Sequence, residues 1–231
     1  MRRASYPRMN PVALSVMDRD ELARRFAELW WSEKRTTLFA NRWLGVPTLQ
    51  HPFDAWVTQE IICEVRPDLI IECGSYHGGS AVMWAMVLEQ VRPSGRVLTI
   101  DVEDRLDRAR SVPVFERRVD ALCGSSVDPL ILGQAQHRAA GKRTLVILDS
   151  DHAKEHVAAE LEAYAPLVTP GSYLIVQDGV VNGHPVEPEY GPGPFEAVAD
   201  FLERNQGFAV DSTRERMLFT FNPNGFLRRV R

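Results

Sequence analysis

Residues 66–81 read RPDLIIECGSYHGGSA. Pro67 halts whatever precedes it, an unbroken apolar run follows from Leu69 to Ile71, and Glu72 closes that run. An apolar run without alternation marks a strand covered on both faces, which points to a parallel sheet. Gly74, Gly78 and Gly79 then make a turn, and SAVMWAMVLEQV from Ser80 spaces its apolar residues as a helix does. The same strand, turn and helix unit recurs downstream. The runs DLIIE, RVLTID, DALCG, TLVILD and YLIVQD alternate with the helical segments SAVMWAMVLEQV, DPLILGQAQHRAA and HVAAELEAYAPLV. Such alternation predicts an open, doubly wound α/β domain, a mostly parallel Rossmann-like sheet with helices on both faces. The helix PFEAVADFLERN and the strands GFAV and MLFTFN end the chain, the last read as an antiparallel edge strand.

Upstream of this domain the pattern is helical. Residues 12–40 place Leu14, Met17, Leu22, Phe26, Leu29 and Trp30 at three- and four-residue spacing, with Asp18 and Asp20 as candidate caps. WLGVPTLQHP, punctuated by Gly45, Pro47 and Pro52, reads as a crossing loop, and a second helix over about 53–65 ends before Pro67. The expected division is an N-terminal helical extension with its crossing loop at 1–52 and a cofactor-binding domain at 53–231. Trp30 and Trp31 on the extension are expected to cover the site or to form the interface of a homo-oligomer. With 231 residues and 45% apolar content, a sizeable core can be buried.

Composition narrows the function. Lys plus Arg number 27 against 31 Asp plus Glu, a net charge of −4 with no basic run, so no nucleic-acid partner is expected. Cys63, Cys73 and Cys123 are odd in number and lack a CxxC spacing, which reads as reduced and hence cytoplasmic. The apolar piece VALSVM is broken by DRDE too early for a signal peptide, and no run reaches the roughly 20 residues of a membrane span.

In doubly wound sheets the ligand sits at the carboxyl ends of the strands. Those ends here carry Glu72, Asp101, the Gly-Ser-Ser of 124–126, Asp149, Gln177 and Asp178. ECGSYHGGS lacks the dinucleotide pattern G-x-G-x-x-G, since Tyr76 stands where a pyrophosphate needs a second glycine. No GK[ST] for a nucleoside triphosphate is present either. An anion-binding turn followed by Asp101, placed to accept both ribose hydroxyls, fits an adenosine ligand without pyrophosphate: S-adenosylmethionine.

The glycine turn, with Glu72, Gly74, Tyr76, Gly78 and Ser80, resembles the E-x-G-x-Y-x-G-x-S turn of catechol-type, metal-dependent O-methyltransferases. GSSVD at 124–128 resembles their adenine-side loop, with Ser126 in the serine position. From about Trp43 onward the chain is more similar still to the cephalosporin hydroxylase and rhamnosyl O-methyltransferase family, through LDSDHAKEHVAAEL, APLVTPGSYLIVQD and NGHPVEPEYGPGPFEAV. The resemblance implies methylation of a sugar hydroxyl on a small-molecule or glycan acceptor. It implies cofactor contacts at Glu72, Gly74, Ser75, Tyr76, Ser80, Asp101, Ser125, Ser126 and Asp149. Two other readings stay open: a component of cephem 7-hydroxylation or methoxylation, and a non-catalytic adenosine-binding subunit.

LDSDHAKEH, residues 148–156, admits three readings. His152 to His156 fit the inverted zinc-peptidase pattern H-x-x-E-H, but only His156 would lie well inside a helix. Asp151 reads as a helix cap. Asp149 closes a buried strand, where a lone carboxylate is expensive, so it needs a partner. Gln177 and Asp178 offer one from the next strand, and three oxygen ligands suit Mg²⁺. His152, where the catechol-type enzymes carry a lysine base, is the expected proton acceptor beside the catalytic Asp149. The Gly- and Pro-rich loop 179–194, with His184, Glu187 and Tyr190, is expected over the site, as connector or acceptor lid.

Overall fold

The structure, a computed structural model, describes residues 18–231. The helical pattern expected from residue 12 therefore begins, for its described part, at α1 (Arg19–Ser32), followed by the single turn α2 (Lys34–Thr37). Leu14 and Met17 lie outside the described residues. Asp18 takes the N-cap position of α1 without a side-chain capping bond. The crossing loop contains a short antiparallel ribbon, Arg42–Trp43 with Val46–Pro47, before α3 (Pro52–Val65). Arg66 ends α3 in a left-handed conformation, and Pro67 after it disfavours any further right-handed helical turn there.

The sheet is built from β1 (Leu69–Cys73), β2 (Arg96–Asp101), β3 (Val119–Cys123), β4 (Thr144–Leu148) and β5 (Tyr173–Val176), all parallel. Its connecting helices are α4 (Gly79–Val91), the short α5 (Asp107–Arg110) and α6 (Pro113–Arg118), α7 (Pro129–Ala139) and α8 (Lys154–Tyr164). Then come α9 (Pro194–Arg204), β6 (Phe208–Val210) and β7 (Phe226–Arg229), which give the spatial order 3-2-1-4-5-7-6. Ile70 packs beneath α3 and α4 with Ile61, Trp84 and Leu88. Leu69, Ile71 and Cys73 face α7, α8 and α9 through Ile131, Leu161, Tyr164 and Phe201. Both faces of β1 are therefore dry, and that is why its apolar run shows no alternation.

Two expectations are corrected. MLFTFN, residues 217–222, is not a strand. Asp54 of α3 captures its backbone and side chains instead: Phe221 N–H donates to Asp54 Oδ2 at 2.7 Å and Thr220 Oγ1 to Oδ1 at 2.6 Å. The closing antiparallel strand is β7, which slots between β5 and β6 and leaves β6 at the edge. Asp151 does not cap α8, which starts at Lys154 with Ala153 as N-cap; Asp151 accepts Ala153 N–H in the preceding turn. His152 accordingly lies before α8 begins.

A third apolar cluster joins α1 to the loop after β5 and to the segment before β7. Ala27, Leu38, Val180, Val181, Val186, Phe219 and Phe221 form it, with Trp30 and Trp31 against its margin. This cluster places α1 and α2 over the carboxyl end of the sheet. Among the described residues no helix is long and apolar enough to cross a membrane.

Candidate active site

A cavity of about 660 Å³ opens at the carboxyl ends of β1, β2, β3 and β4. Its first wall is the turn after β1. Gly74 has φ +98°, and a Cβ there would lie 1.9 Å from the backbone oxygen of Asp149. Only glycine lets this turn pass so close to the exit of β4. Ser75 and Tyr76 N–H groups both donate to Asp101 Oδ2, at 2.9 and 2.8 Å. The nest expected to hold a ligand anion thus holds the carboxylate of β2 and fixes Asp101 at the cavity wall. Gly74, Ser75, Tyr76, Ser80, Asp101, Ser125, Ser126 and Asp149 all line this one cavity.

Glu72 does not. It is 1% exposed on the α4 side of β1, accepting from Trp84 Nε1 at 3.1 Å and Thr99 Oγ1 at 2.7 Å. Thr99 Oγ1 in turn meets Ser75 Oγ at 2.5 Å. The expected cofactor contact is therefore corrected to a brace behind the turn, because the alternation along β1 turns Glu72 under α4 with Ile70, where Trp84 and Thr99 hold it.

At the other end of the cavity Asp149, His152 and Asp178 come together, with one ligand atom from each lying within 4.8 Å of the others. His152 Nε2 is 3.3 Å from Asp178 Oδ2 and 3.6 Å from Asp149 Oδ1. Their side chains are 27%, 26% and 18% exposed, open to the cavity yet mostly covered by protein. Burial, reinforced by the neighbouring charge of Asp178, pushes the Asp149 carboxyl up to about 7 against the pull of His152. Burial likewise raises Asp178. Burial opposes charge on His152, but Asp149 and Asp178 outweigh it and push the imidazole up to about 9. Two carboxylates that resist joint ionisation need positive charge between them, and a divalent cation supplies it.

Gln177 reaches this centre from behind, buried and outside the cavity lining. It pairs with Gln50 of the crossing loop. Gln50 Nε2 donates to Gln177 Oε1 at 2.8 Å and to Asp149 Oδ2 at 3.0 Å, and Gln177 Nε2 donates back to Gln50 Oε1 at 3.0 Å. Gln177 Oε1 then sits 2.7 Å from Asp149 Oδ2, acceptor against acceptor. Neighbouring oxygens of an octahedral Mg²⁺ shell are about 3 Å apart, so this spacing fits a shared cation. Turned over together, the paired amides keep their mutual bonds and Gln177 donates N–H to Asp149 at 2.7 Å instead. In the first orientation the amide oxygen beside Asp149 is that of Gln177; in the second it is that of Gln50, 3.0 Å from Asp149 Oδ2 at the cavity wall. The oxygen-rich set, with one imidazole, suits Mg²⁺; it does not match the two-histidine, one-carboxylate set of iron oxygenases.

Gln50 carried no sequence signal, since loop residues have no periodicity to betray them. Glu160 did carry one: it stands on the apolar stripe Val157, Leu161 and Tyr164 of α8, where a carboxylate must find partners. Of the loop residues expected over the site, Glu187 and Tyr190 line the cavity, whereas His184 stacks on Phe195 beside a separate groove. Trp31 joins the lining and donates Nε1–H to Glu187 at 2.8 Å; Trp30 turns inward against His51. His156 lies on α8 with Glu160 3.5 Å from its Nε2, apart from His152, so the zinc-peptidase pattern brings no histidine pair onto one ion.

Comparison with known proteins gives concordant findings. Residues 35–230 match the family described as Rhamnosyl O-methyltransferase/CmcI. The rhamnosyl O-methyltransferase of Mycobacterium tuberculosis (strain ATCC 25618 / H37Rv) is 40% identical over 210 residues, covering 87% of this chain and 80% of that protein. That of Mycobacterium leprae (strain TN) is 38% identical over 191 residues, covering 80% and 81%. Among solved structures, CmcI with Mg and SAM superposes with a TM-score of 0.63 at 21% identity, over 84% of this chain and 78% of the other. The O-methyltransferase TomG from Streptomyces achromogenes, in complex with SAM, gives 0.54 at 20% identity, over 86% and 84%. At these identities the two structures speak for the fold alone.

Proposed function

The chain belongs to the Rhamnosyl O-methyltransferase/CmcI family, and from that premise we propose that it transfers the methyl group of S-adenosylmethionine to a sugar hydroxyl with Mg²⁺ assistance. The observation that carries the reading is the meeting of Asp149, His152 and Asp178 in the same cavity as the glycine turn, Asp101 and Ser126. When bound, the cofactor supplies an electrophilic methyl group and Mg²⁺ the positive charge that acidifies and aims a hydroxyl.

The chain's own residues do the rest. Asp101, Ser75, Tyr76, Ser80, Ser125 and Ser126 hold the adenosine and amino-acid parts, with Gly74 giving the close approach. Asp149 and Asp178 would hold the cation, and Gln177 would add its amide oxygen while Gln50 steadies both. His152 takes the hydroxyl proton as the carbon–oxygen bond forms and the carbon–sulfur bond breaks. A ring held protonated by two bare carboxylates cannot act as a base, so neutralisation of Asp149 and Asp178 is what frees His152. Glu187, Tyr190 and Trp31 face the acceptor, a rhamnosyl or related glycoside. Residues 53–231 form the cofactor-binding domain, and the described part of the N-terminal extension, residues 18–52, covers it. Leu22, Phe26 and Leu29, exposed along α1, mark the surface for self-association. Three free cysteines fit a cytoplasmic setting.

The test is mass spectrometry of rhamnosides and other glycosides incubated with the protein, S-adenosylmethionine and Mg²⁺. A gained methyl ether, lost in EDTA and in the Asp149→Ala and Asp178→Ala variants, is expected. Cofactor binding with no methylation across the panel would favour the non-catalytic adenosine-binding reading.

A further inference from the structure

Glu160 is a fully buried carboxylate on the sheet-facing side of α8. Its Oε1 receives the hydroxyls of Ser126 and, at 2.7 Å, Ser150, so it ties the exits of β3 and β4 together. Its Oε2 has no partner among the described residues. One helical turn on, Tyr164 Oη donates to the backbone carbonyl of Ser126 at 2.8 Å. Helix α8 thus grips Ser126 by side chain and backbone at once, and Ser126 and His156 both line the cavity.

We propose that Glu160 is a positioning residue that makes the Ser126 hydroxyl an acceptor toward the ligand, so that the site selects a nucleobase bearing an exocyclic amine. The proposal rests on the cofactor reading above. A serine hydroxyl has one proton and two lone pairs. The proton of Ser126 is committed to Glu160. His156 Nε2, 3.3 Å from Ser126 Oγ, can occupy one lone pair at most. What remains toward the cavity can accept and cannot donate. Adenine meets it with its amine; hypoxanthine would present a carbonyl oxygen, lone pair against lone pair, at a serine only 5% exposed. A serine free of Glu160 would turn its proton either way and accept both bases.

Calorimetric titration of the full chain with S-adenosylhomocysteine and its deaminated analogue S-inosylhomocysteine decides the matter. The unaltered protein should bind the adenosyl compound at least about tenfold more tightly, the worth of one hydrogen bond. In Glu160→Gln the amide can donate to Ser126 and release its proton, so the ratio should narrow to within about threefold, mostly through gained affinity for the inosyl compound. Ser126→Ala should narrow it too, but by weakening the adenosyl compound. Equal affinities in the unaltered protein, or an unchanged ratio in Glu160→Gln, overturn the proposal. If Glu160→Gln does not fold, an unchanged ratio in Ser126→Ala overturns it. Failure of the unaltered protein to bind S-adenosylhomocysteine at all removes the cofactor reading and this proposal with it.

Discussion

Glu72 shows how one buried acid couples this fold to pH. Burial pushes its carboxyl from an ordinary value of 4.5 up to about 7, against the hydrogen bonds from Thr99, Ser80 and Trp84. The folded chain therefore keeps a proton that the unfolded chain has released, and stability falls as pH rises from 4.5 to about 7. A shift of that size corresponds to roughly 3 kcal/mol. Glu72→Gln keeps the shape without the titration, so its denaturant midpoint should lose that part of the slope between pH 4.5 and about 7. An unaltered slope would mean that Glu72 ionises freely. His152 makes a second test at this scale. Its ring should titrate near pH 9 by NMR in metal-free protein, and saturating Mg²⁺ should bring the titration down toward or below the ordinary 6.5. A titration indifferent to Mg²⁺ would place the cation elsewhere.

Among the elements, the contact of α4 with the crossing loop is the tightest at the site. A Cβ on Gly79, at the start of α4, would lie 1.8 Å from Thr48 Oγ1 and 2.5 Å from the Pro47 carbonyl oxygen. Both neighbours belong to the segment that carries Gln50 to Asp149. Gly79→Ala should therefore push that segment away and weaken Mg²⁺ and S-adenosylhomocysteine binding together, each by about tenfold or more, a loss worth one or two good contacts. Calorimetry with each ligand checks this. Loss of one affinity without the other would show that the crossing loop serves a single subsite.

At the scale of the whole molecule, the N-terminal helices and the loop after β5 act as one cover. Their apolar contact is the cluster around Phe219 and Phe221, and Glu187 ties them with polar bonds, accepting from Trp31 Nε1 at 2.8 Å and pairing with Lys34 at 2.5 Å. A half-exposed ion pair adds little stability by itself. Its place over the Asp149 end of the cavity matters more. Glu187→Ala should raise the acceptor KM about fivefold or more while S-adenosylhomocysteine affinity stays within about twofold, since only the acceptor end loses its wall. Steady-state kinetics with calorimetry separates the two, and a matching drop in cofactor affinity would refute a cover confined to the acceptor.

Strand-forming runs such as LIIE and TLVIL, the helices between them and the polar residues closing each strand were all legible in the sequence, because burial on both faces and helical periodicity leave local patterns. Asp101, Asp149 and Asp178 could be named because in this architecture the ligand crevice lies where the strands end, and Ser126 because its loop resembles a known adenine-side loop. The fate of MLFTFN was not legible, since Asp54, far away in the chain, outbids a sheet partner for its backbone. Nor was the division of labour between Glu72 and Asp101, two acids at adjacent strand ends, one turned under α4 and one held at the cavity wall by Ser75 and Tyr76. Gln50 and Glu160 became site residues only when the crossing loop and α8 were brought against Asp149 and Ser126. Local pattern determines which segments bury apolar surface, whereas a polar group's partner is chosen by whichever distant chain segment the packed core delivers to it.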